Sequence, residues 1–364
     1  MTIEQDWSGR GQHAFFQKSE HKIVNEILEV HDTLGITNTA KVESVKCRRI
    51  LLARKTMLCK KTLDKEEAIK EVAHLSALEH PHILRVIGTY VMGNQLSILL
   101  YPVAEWNLKQ FMESMRGELL FASGRFFSCD RFFGCLCNAT CYIHSKLTKH
   151  MDIKPENILV KRNLDAPPGQ FRSGNLHKVF IADFGIARSY NRQEDIMTDG
   201  PTGFTPEYAA PEVIKYELRG LPADIFSLGC VFLEMLTSMN ITYDVYRHLE
   251  SRSTPRWRSR WSDLRQVLAT NIQGDDSYQA NIHELQDFSK SLQEYPAIAS
   301  IIHRMIRHNP EERPTAAELR IEVPGDYCCR GGPCQLEAFQ EEEEEEEAPD
   351  SDMHIDFFSM RNAV

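Results

Sequence analysis

The chain has 364 residues, 42% apolar and 26% charged, which suits one large two-lobed domain or two smaller ones with a substantial core. Its net charge of −10 owes seven negative charges to the consecutive glutamates Glu341 to Glu347, so the rest is only mildly acidic, which argues against a general nucleic-acid-binding surface. Met1 to Asp6 lacks the basic start and apolar run of an export signal, and no stretch is expected to reach the ~20 apolar residues of a membrane span.

A cytoplasmic or nuclear location is the resulting expectation, with the ten cysteines reduced. Residues 1–25 are mixed and polar and read as an N-terminal extension or a loosely packed helix. Short apolar runs with β-branched residues then predict strands at Ile27–Thr33, Ala40–Val45 and Arg49–Thr56. Apolar residues at helical spacing predict a helix over Glu66–Leu78, stopped at His80-Pro81 because the residue before proline avoids the helical region. Two more strands are expected at Ile83–Val91 and Gln95–Leu100.

Beyond Val103 the pattern turns helical. Helices are predicted at Leu108–Met115 and Phe126–Ser145, the second apolar almost all round and so buried. Within it Cys135, Cys137 and Cys141 read as small core residues. Short strands at Ile158–Val160 and Val179–Ile181 flank a polar surface insertion, Leu164–Leu176. Further helices are expected at Ala223–Thr237, Leu264–Leu268, Leu292–Ile306 and Ala316–Ile321. From about Pro324 the composition collapses into Cys/Gly, polyglutamate and polar residues, a run that repels itself and stays solvated, with an arm for basic partners as the alternative. Cys328, Cys329 and Cys334 lack the spacing and fourth ligand of a zinc site. A strand-rich segment of about 75 residues thus precedes a helix-rich one of about 220, an α+β, two-lobed layout with a cleft between the lobes.

Three clusters carry chemistry. Leu52-Ala53-Arg54-Lys55 ends an apolar strand, and Glu71 follows on the next predicted helix. A lysine that binds phosphate oxygens needs a carboxylate to hold its flexible stem, although on its own this pair is better explained as two solvated charges. His150-Met151-Asp152-Ile153-Lys154-Pro155-Glu156-Asn157 fixes an aspartate, a lysine two places on and an amide three further. Phosphoryl transfer needs that set: Asp152 to orient the attacking hydroxyl and accept its proton, Lys154 to neutralise the γ-phosphate, Asn157 to ligate a metal. Ile181-Ala182-Asp183-Phe184-Gly185 then puts an acid suited to Mg²⁺ at a strand end, with a glycine for the turn.

In this order the motifs resemble those of the eukaryotic protein kinase family, over roughly residues 28 to 322. The resemblance implies a protein-kinase-like fold: a small β-rich N-lobe (26–103) with one main helix, a larger, mainly helical C-lobe (104–322), and a tail at 323–364. It implies ATP and Mg²⁺ as cofactors and a protein substrate with a Ser/Thr acceptor. Lys55 matches the lysine that holds the α/β-phosphates and Glu71 its partner. Asp152 matches the catalytic base, Lys154 the γ-phosphate lysine, and Asn157 and Asp183 the metal ligands. Tyr208-Ala209-Ala210-Pro211-Glu212 matches the end of the activation segment, Asp224 the aspartate bracing the catalytic loop, and Arg313 the arginine paired with Glu212. Gly35, Val42, Ala53, Leu100, Tyr101 and Val103 fall where the family holds the nucleotide, Val103 being a better backbone donor than Pro102. Lys154 and Gly203-Phe204-Thr205-Pro206-Glu207-Tyr208 resemble the serine/threonine branch, and the detailed wording looks similar to fungal kinases.

Two departures stand out. In Gly35-Ile36-Thr37-Asn38-Thr39-Ala40-Lys41-Val42, Thr37 and Ala40 replace two of the family's three loop glycines, so nucleotide affinity is expected to be weakened. Met151 replaces the arginine that receives an activation-loop phosphate, so activity is expected not to depend strongly on phosphorylation of Thr198 or Thr202. The alternatives to an active kinase are a pseudokinase acting as a nucleotide-binding or scaffolding module, and a small-molecule phosphotransferase of related fold.

Overall fold

The computed structural model describes residues 3, 6–36, 40–59, 72, 76, 78–117, 122–163, 176–184, 188–190, 196–198, 204–251, 260–271, 274–292 and 295–323. The predicted helix Glu66–Leu78 lies almost wholly outside them, as do Glu71, Thr37, Gly185, Thr202, most of the 164–176 insertion and the tail with Cys328, Cys329 and Cys334.

The chain forms two lobes. The N-lobe is a six-stranded sheet built from β1 (His13–Phe16), β2 (Glu29–Ile36), β3 (Ala40–Cys47), β4 (Ile50–Leu58), β5 (Arg85–Met92) and β6 (Gln95–Tyr101), in the order β1-β5-β6-β4-β3-β2. Strand pairing is antiparallel except for β1 on β5, which is parallel. Register fixes which side chains share a face: Val42 lies opposite Lys55, Lys55 opposite Ile98, and Ala53 opposite Leu100. Alternation along the strand then sends Ala53 and Lys55 to the inner face and Arg54 to the outer one. Ala53, Ile98 and Leu100 accordingly join the main core. Arg54 instead makes a buried outer-face ion pair with Glu43 at 2.8 Å.

The described residues among the first 28 take in most of the stretch 1–25, expected as an extension or a loosely packed helix. They supply β1 and a short helix, α1 (His21–Ile27), and they cover the outer face of the sheet. Trp7 is 1% exposed and packs with Phe16, Val24 and Leu28 on Val45, Leu52, Ile87 and Leu99 in a second core. Each such side chain removed from water contributes about 1.5–3 kcal/mol. A methyl at Gly88 would collide with the Trp7 ring and the Gln12 carbonyl, so glycine there admits the indole, whose Nε1 donates to Gln12 O at 2.9 Å. The strand expected from Ile27 starts only at Glu29, because residues 21–27 make a helical turn that buries Val24 and ends with the Leu28 N–H on Val24 O.

The C-lobe is mainly helical. Its elements include β7 (Trp106–Asn107), α2 (Leu108–Gly117), α3 (Ala122–Ser145), β8 (Thr148–Lys149), β9 (Ile158–Arg162), β10 (His177–Ile181), β11 (Arg188–Ser189), α4 (Pro211–Ile214), α5 (Pro222–Ser251), α6 (Arg260–Ala269), α7 (Ile282–Lys290), α8 (Pro296–Met305) and α9 (Ala316–Glu322). Cys135 and Cys137 of α3 are buried and Cys141 is half-buried, all three as free thiols. Helix α7 has no counterpart in the sequence reading, and α8 starts at Pro296 rather than Leu292, with proline in the first turn where a missing N–H costs nothing. One stretch, Pro222–Met239, is apolar and long enough to cross a membrane by length and composition, where none was expected; 94% of it is buried inside the lobe, which accounts for its apolarity.

The lobes meet through the run after the predicted N-lobe helix. Ile83 bridges Ile181, the Ile181 N–H donates to His82 O at 2.8 Å, and the His82 ring bonds Val179 O at 2.7 Å. Nearby, His177 is wedged edge-on against Phe111 and Trp106 with Nδ1 at 3.0 Å from Ser128 Oγ. Burial, helped by the Arg125 and Arg162 guanidiniums, pushes its pKa down to about 4 from 6.5. Between those values the unfolded chain takes up a proton that the folded chain refuses, so stability falls as pH drops through that window. The expected loss is about 3 kcal/mol by pH 4, at about 1.4 kcal/mol per pKa unit. Urea unfolding of wild type and His177→Gln between pH 7 and about 4.5 checks it: the variant's stability should fall less steeply, and equal slopes would remove His177 from the account.

Candidate active site

The run 150–157 joins β8 to β9, between a buried helix and a strand. Asp224, near the start of α5 and 1% exposed, anchors it. Its Oδ1 accepts the Met151 N–H at 2.8 Å, and its Oδ2 accepts the His150 N–H at 2.8 Å and faces His144 Nε2 at 3.1 Å. Burial alone would raise the Asp224 pKa, but the His144 hydrogen bond and the charges and N–H around it win and lower it. The carboxylate thereby stays ionised where it holds two consecutive backbone N–H groups. That grip lets Met151 keep a left-handed φ of 69°, a conformation costing a non-glycine residue about 1–3 kcal/mol.

The loop's functional side chains converge. Asp152 Oδ2 accepts from Lys154 Nζ and from Asn157 Nδ2, both at 2.7 Å, and its Oδ1 accepts from Thr205 Oγ1 at 2.6 Å. Lys154 also donates to Thr205 Oγ1 at 2.6 Å. Thr205 therefore ties the end of the activation segment to both the acid and the lysine. His150 is tautomerically defined: Nδ1 accepts the Asp152 N–H at 3.3 Å, so Nε2 carries the proton and donates to Ala182 O at 3.0 Å. Its ring sits at 4.6 Å, edge to face, on the fully buried Phe184.

Across the cleft, Lys55 Nζ pairs with Asp183 Oδ1 at 2.8 Å. Asp183 sits at a φ of 62° and its side chain is 46% exposed. The structure thus brings together Lys55, Asp152, Lys154, Asn157 and Asp183. Glu71, expected as the partner of Lys55, lies outside the described residues. Because the Asn157 Nδ2 is spent on Asp152, its Oδ1 is the atom left to face a cation. Among the described residues no group of three or more His, Cys, Asp or Glu could hold a metal by itself. The Asn157 amide oxygen and the Asp183 carboxylate, which here pairs with Lys55, are hard oxygen donors and fit Mg²⁺, which takes one or two protein oxygens and completes its shell with water and phosphates.

The inner face of the N-lobe sheet roofs the cleft with Val42, Ala53 and Leu100, and the chain crosses to the C-lobe at Tyr101 and Val103, the first buried and the second half-buried. Gly35 pairs with Val42, and a side chain there would meet open space. Glu212 of α4 and Arg313 form a two-pronged ion pair at 2.7 and 2.8 Å. The Arg313 side chain is fully buried. Sequence reasoning passed over His144 and Lys149, which are both buried. A histidine at the end of an apolar helix and a lysine beside a turn carry no signal that separates them from surface residues.

These side chains sit on a two-lobed fold, a β-rich N-lobe joined to a mainly helical C-lobe. The protein kinase domain family matches residues 28–322, and the chain belongs to that family, whose members work with ATP and Mg²⁺. It is 26% identical over 212 residues to myosin light chain kinase 3 of Rattus norvegicus, covering 58% of this chain and 25% of that protein. It is 26% identical over 283 residues to cell division control protein 2 homolog 1 of Trypanosoma brucei brucei, covering 72% and 86%. It is 29% identical over 253 residues to mitogen-activated protein kinase kinase kinase YODA of Arabidopsis thaliana, covering 69% and 23%. The chain therefore spans about a quarter of the length of the first and third of these relatives.

Proposed function

We propose that this chain transfers the γ-phosphate of ATP to serine or threonine hydroxyls of protein substrates, with Asp152 as the catalytic base. The observation that carries the reading is the convergence of Lys154, Asn157 and Thr205 on one carboxylate. Val42, Ala53 and Leu100 form the apolar slot for adenine, with the backbone at Tyr101 and Val103 along its edge and Gly35 giving the phosphates room. Lys55 and Lys154 neutralise phosphate oxygens. Asp152 aligns the acceptor hydroxyl and takes its proton, so positioning and electrostatics supply most of the rate. Asn157 and Asp183 would hold Mg²⁺, which when bound offsets charge on the phosphates. Glu71 is our choice for the carboxylate that steadies Lys55 once Asp183 turns to the metal.

A cytoplasmic or nuclear location, and the likeness to fungal kinases, belong to the same proposal and rest on the sequence alone. So does the pseudokinase alternative, which the replacement of two loop glycines by Thr37 and Ala40 supports. Transfer of labelled phosphate from ATP with Mg²⁺ or Mn²⁺, to the protein itself and to a generic basic substrate, separates the two. Wild type is expected to label and Lys55→Met to lose at least about 10²-fold, the scale of removing one electrostatic stabiliser. No labelling by folded wild type under several metals and substrates would leave the pseudokinase reading standing.

A further inference from the structure

Three tethers join the activation segment to the run 147–152. The first is main chain: β11 pairs antiparallel with β8, and the Tyr190 N–H donates to Leu147 O at 3.0 Å. The last is the Thr205 hydroxyl on Asp152 at 2.6 Å. Between them lies Lys149, three residues ahead of Asp152 and 1% exposed. Its Nζ donates to Ile196 O at 2.7 Å, to Thr198 Oγ1 at 2.8 Å and to Arg219 O at 3.1 Å, and it sits 4.9 Å from the centre of the Tyr190 ring.

An ammonium has three N–H donors, and here all three go to the protein. Two acceptors lie on the activation segment and the third on the strap that enters α5. That strap and the segment are also paired to each other: the Thr198 N–H donates to Arg219 O at 3.1 Å and the Arg219 N–H to Thr198 O at 3.0 Å. Ile196 is buried beneath this bridge, and a methyl at Gly220 would run into Met197 Sδ. A surface lysine would gain little from such bonds. A buried one makes them in a low dielectric, where each is stronger and each unmade one costs more.

We propose that Lys149 is a positioning residue, the clamp that holds residues 196–198 of the activation segment against the catalytic loop without any covalent modification. The proposal rests on the kinase reading for its effect on catalysis but not for the clamp itself. The Thr198 hydroxyl is engaged in its unmodified form, so the segment needs no phosphate to reach a cation. By fixing residues 196–198, the clamp sets where Thr205 meets Asp152, on the protein-substrate side of the cleft, and leaves the nucleotide side untouched.

The test is hydrogen exchange of the full-length chain together with steady-state kinetics on a protein substrate, for wild type, Lys149→Met and Lys149→Gln. In Lys149→Met, exchange at the 196–198 and 219 amides should quicken by about tenfold or more, local opening being the process that exchange reports. KM for the protein substrate should rise, or kcat fall, by about fivefold or more, with KM for ATP within about twofold, a split that general destabilisation would not give. Lys149→Gln, which keeps an N–H donor, should fall between, and it carries the comparison if the methionine variant does not fold. Exchange within twofold of wild type in a folded variant would overturn the clamp. Should wild type itself transfer no phosphate, the kinase reading fails, and the exchange data alone decide the clamp.

Discussion

Asp152→Asn is expected to slow phosphate transfer by about 10²–10⁴-fold, the usual worth of a general base, with little change in melting temperature. The substitution keeps the shape of the side chain and one acceptor oxygen. It removes the charge that Lys154, Asn157 and Thr205 all donate to. An amide N–H would now face one of those donors, so one hydrogen bond is lost as well as the proton acceptor. Asp152 is partly exposed and stabilises no core, so the loss should appear in kcat rather than in stability. Single-turnover transfer with saturating ATP measures it. A rate within tenfold of wild type would take the base role away from Asp152.

The second large effect is on stability. Arg313→Ala is expected to cost about 3–5 kcal/mol, the usual penalty for leaving one member of a buried ion pair alone. Arg313 donates to Glu212 through both terminal nitrogens and also to the carbonyls of Arg307, Pro222 and His308 at 2.9 to 3.1 Å. Its guanidinium lies 5.1 Å from the centre of the Phe226 ring. Truncation orphans the Glu212 carboxylate and takes one donor from each of three carbonyls at once. Glu212→Leu combined with Arg313→Met should recover much of the loss, because the desolvation cost of both charges disappears with them. Urea unfolding of the single and double variants gives the answer. A single-variant loss below about 1 kcal/mol would mean that the pair is solvated in solution.

Much of this architecture was legible from periodicity. The two central helices read as apolar runs because α3 and the first half of α5 are buried on nearly all sides, and strands β3 to β6 read as β-branched stretches between turns. The proposed site was read from a different signal: phosphoryl transfer constrains residue type at fixed spacing, and Asp152, Lys154, Asn157 and Asp183 stand at that spacing. Long-range partners were not legible. Nothing in the local sequence says that Lys55 lies beside Asp183, 128 residues away, or that Thr205 bridges Asp152 and Lys154. Lys149 was illegible in principle, since a lysine is expected at the surface and only the folded chain shows what its amine reaches. The packing of Trp7, Phe16, Val24 and Leu28 was not legible, because these apolar residues are spaced for no single regular element.

Three of those side chains, Trp7, Phe16 and Val24, also separate two meanings of the word domain. The family match starts at residue 28, yet the outer face of the N-lobe sheet is finished by residues that precede it. A polypeptide begun at residue 28 would keep Lys55, Asp152, Lys154, Asn157 and Asp183 and lose Trp7, Phe16 and Val24 from over Val45, Leu52 and Leu99. The β5 edge that β1 occupies would be left as bare N–H and carbonyl groups, a template for pairing with another molecule. The first residue of the family match and the first residue needed to finish the N-lobe's outer face are therefore different.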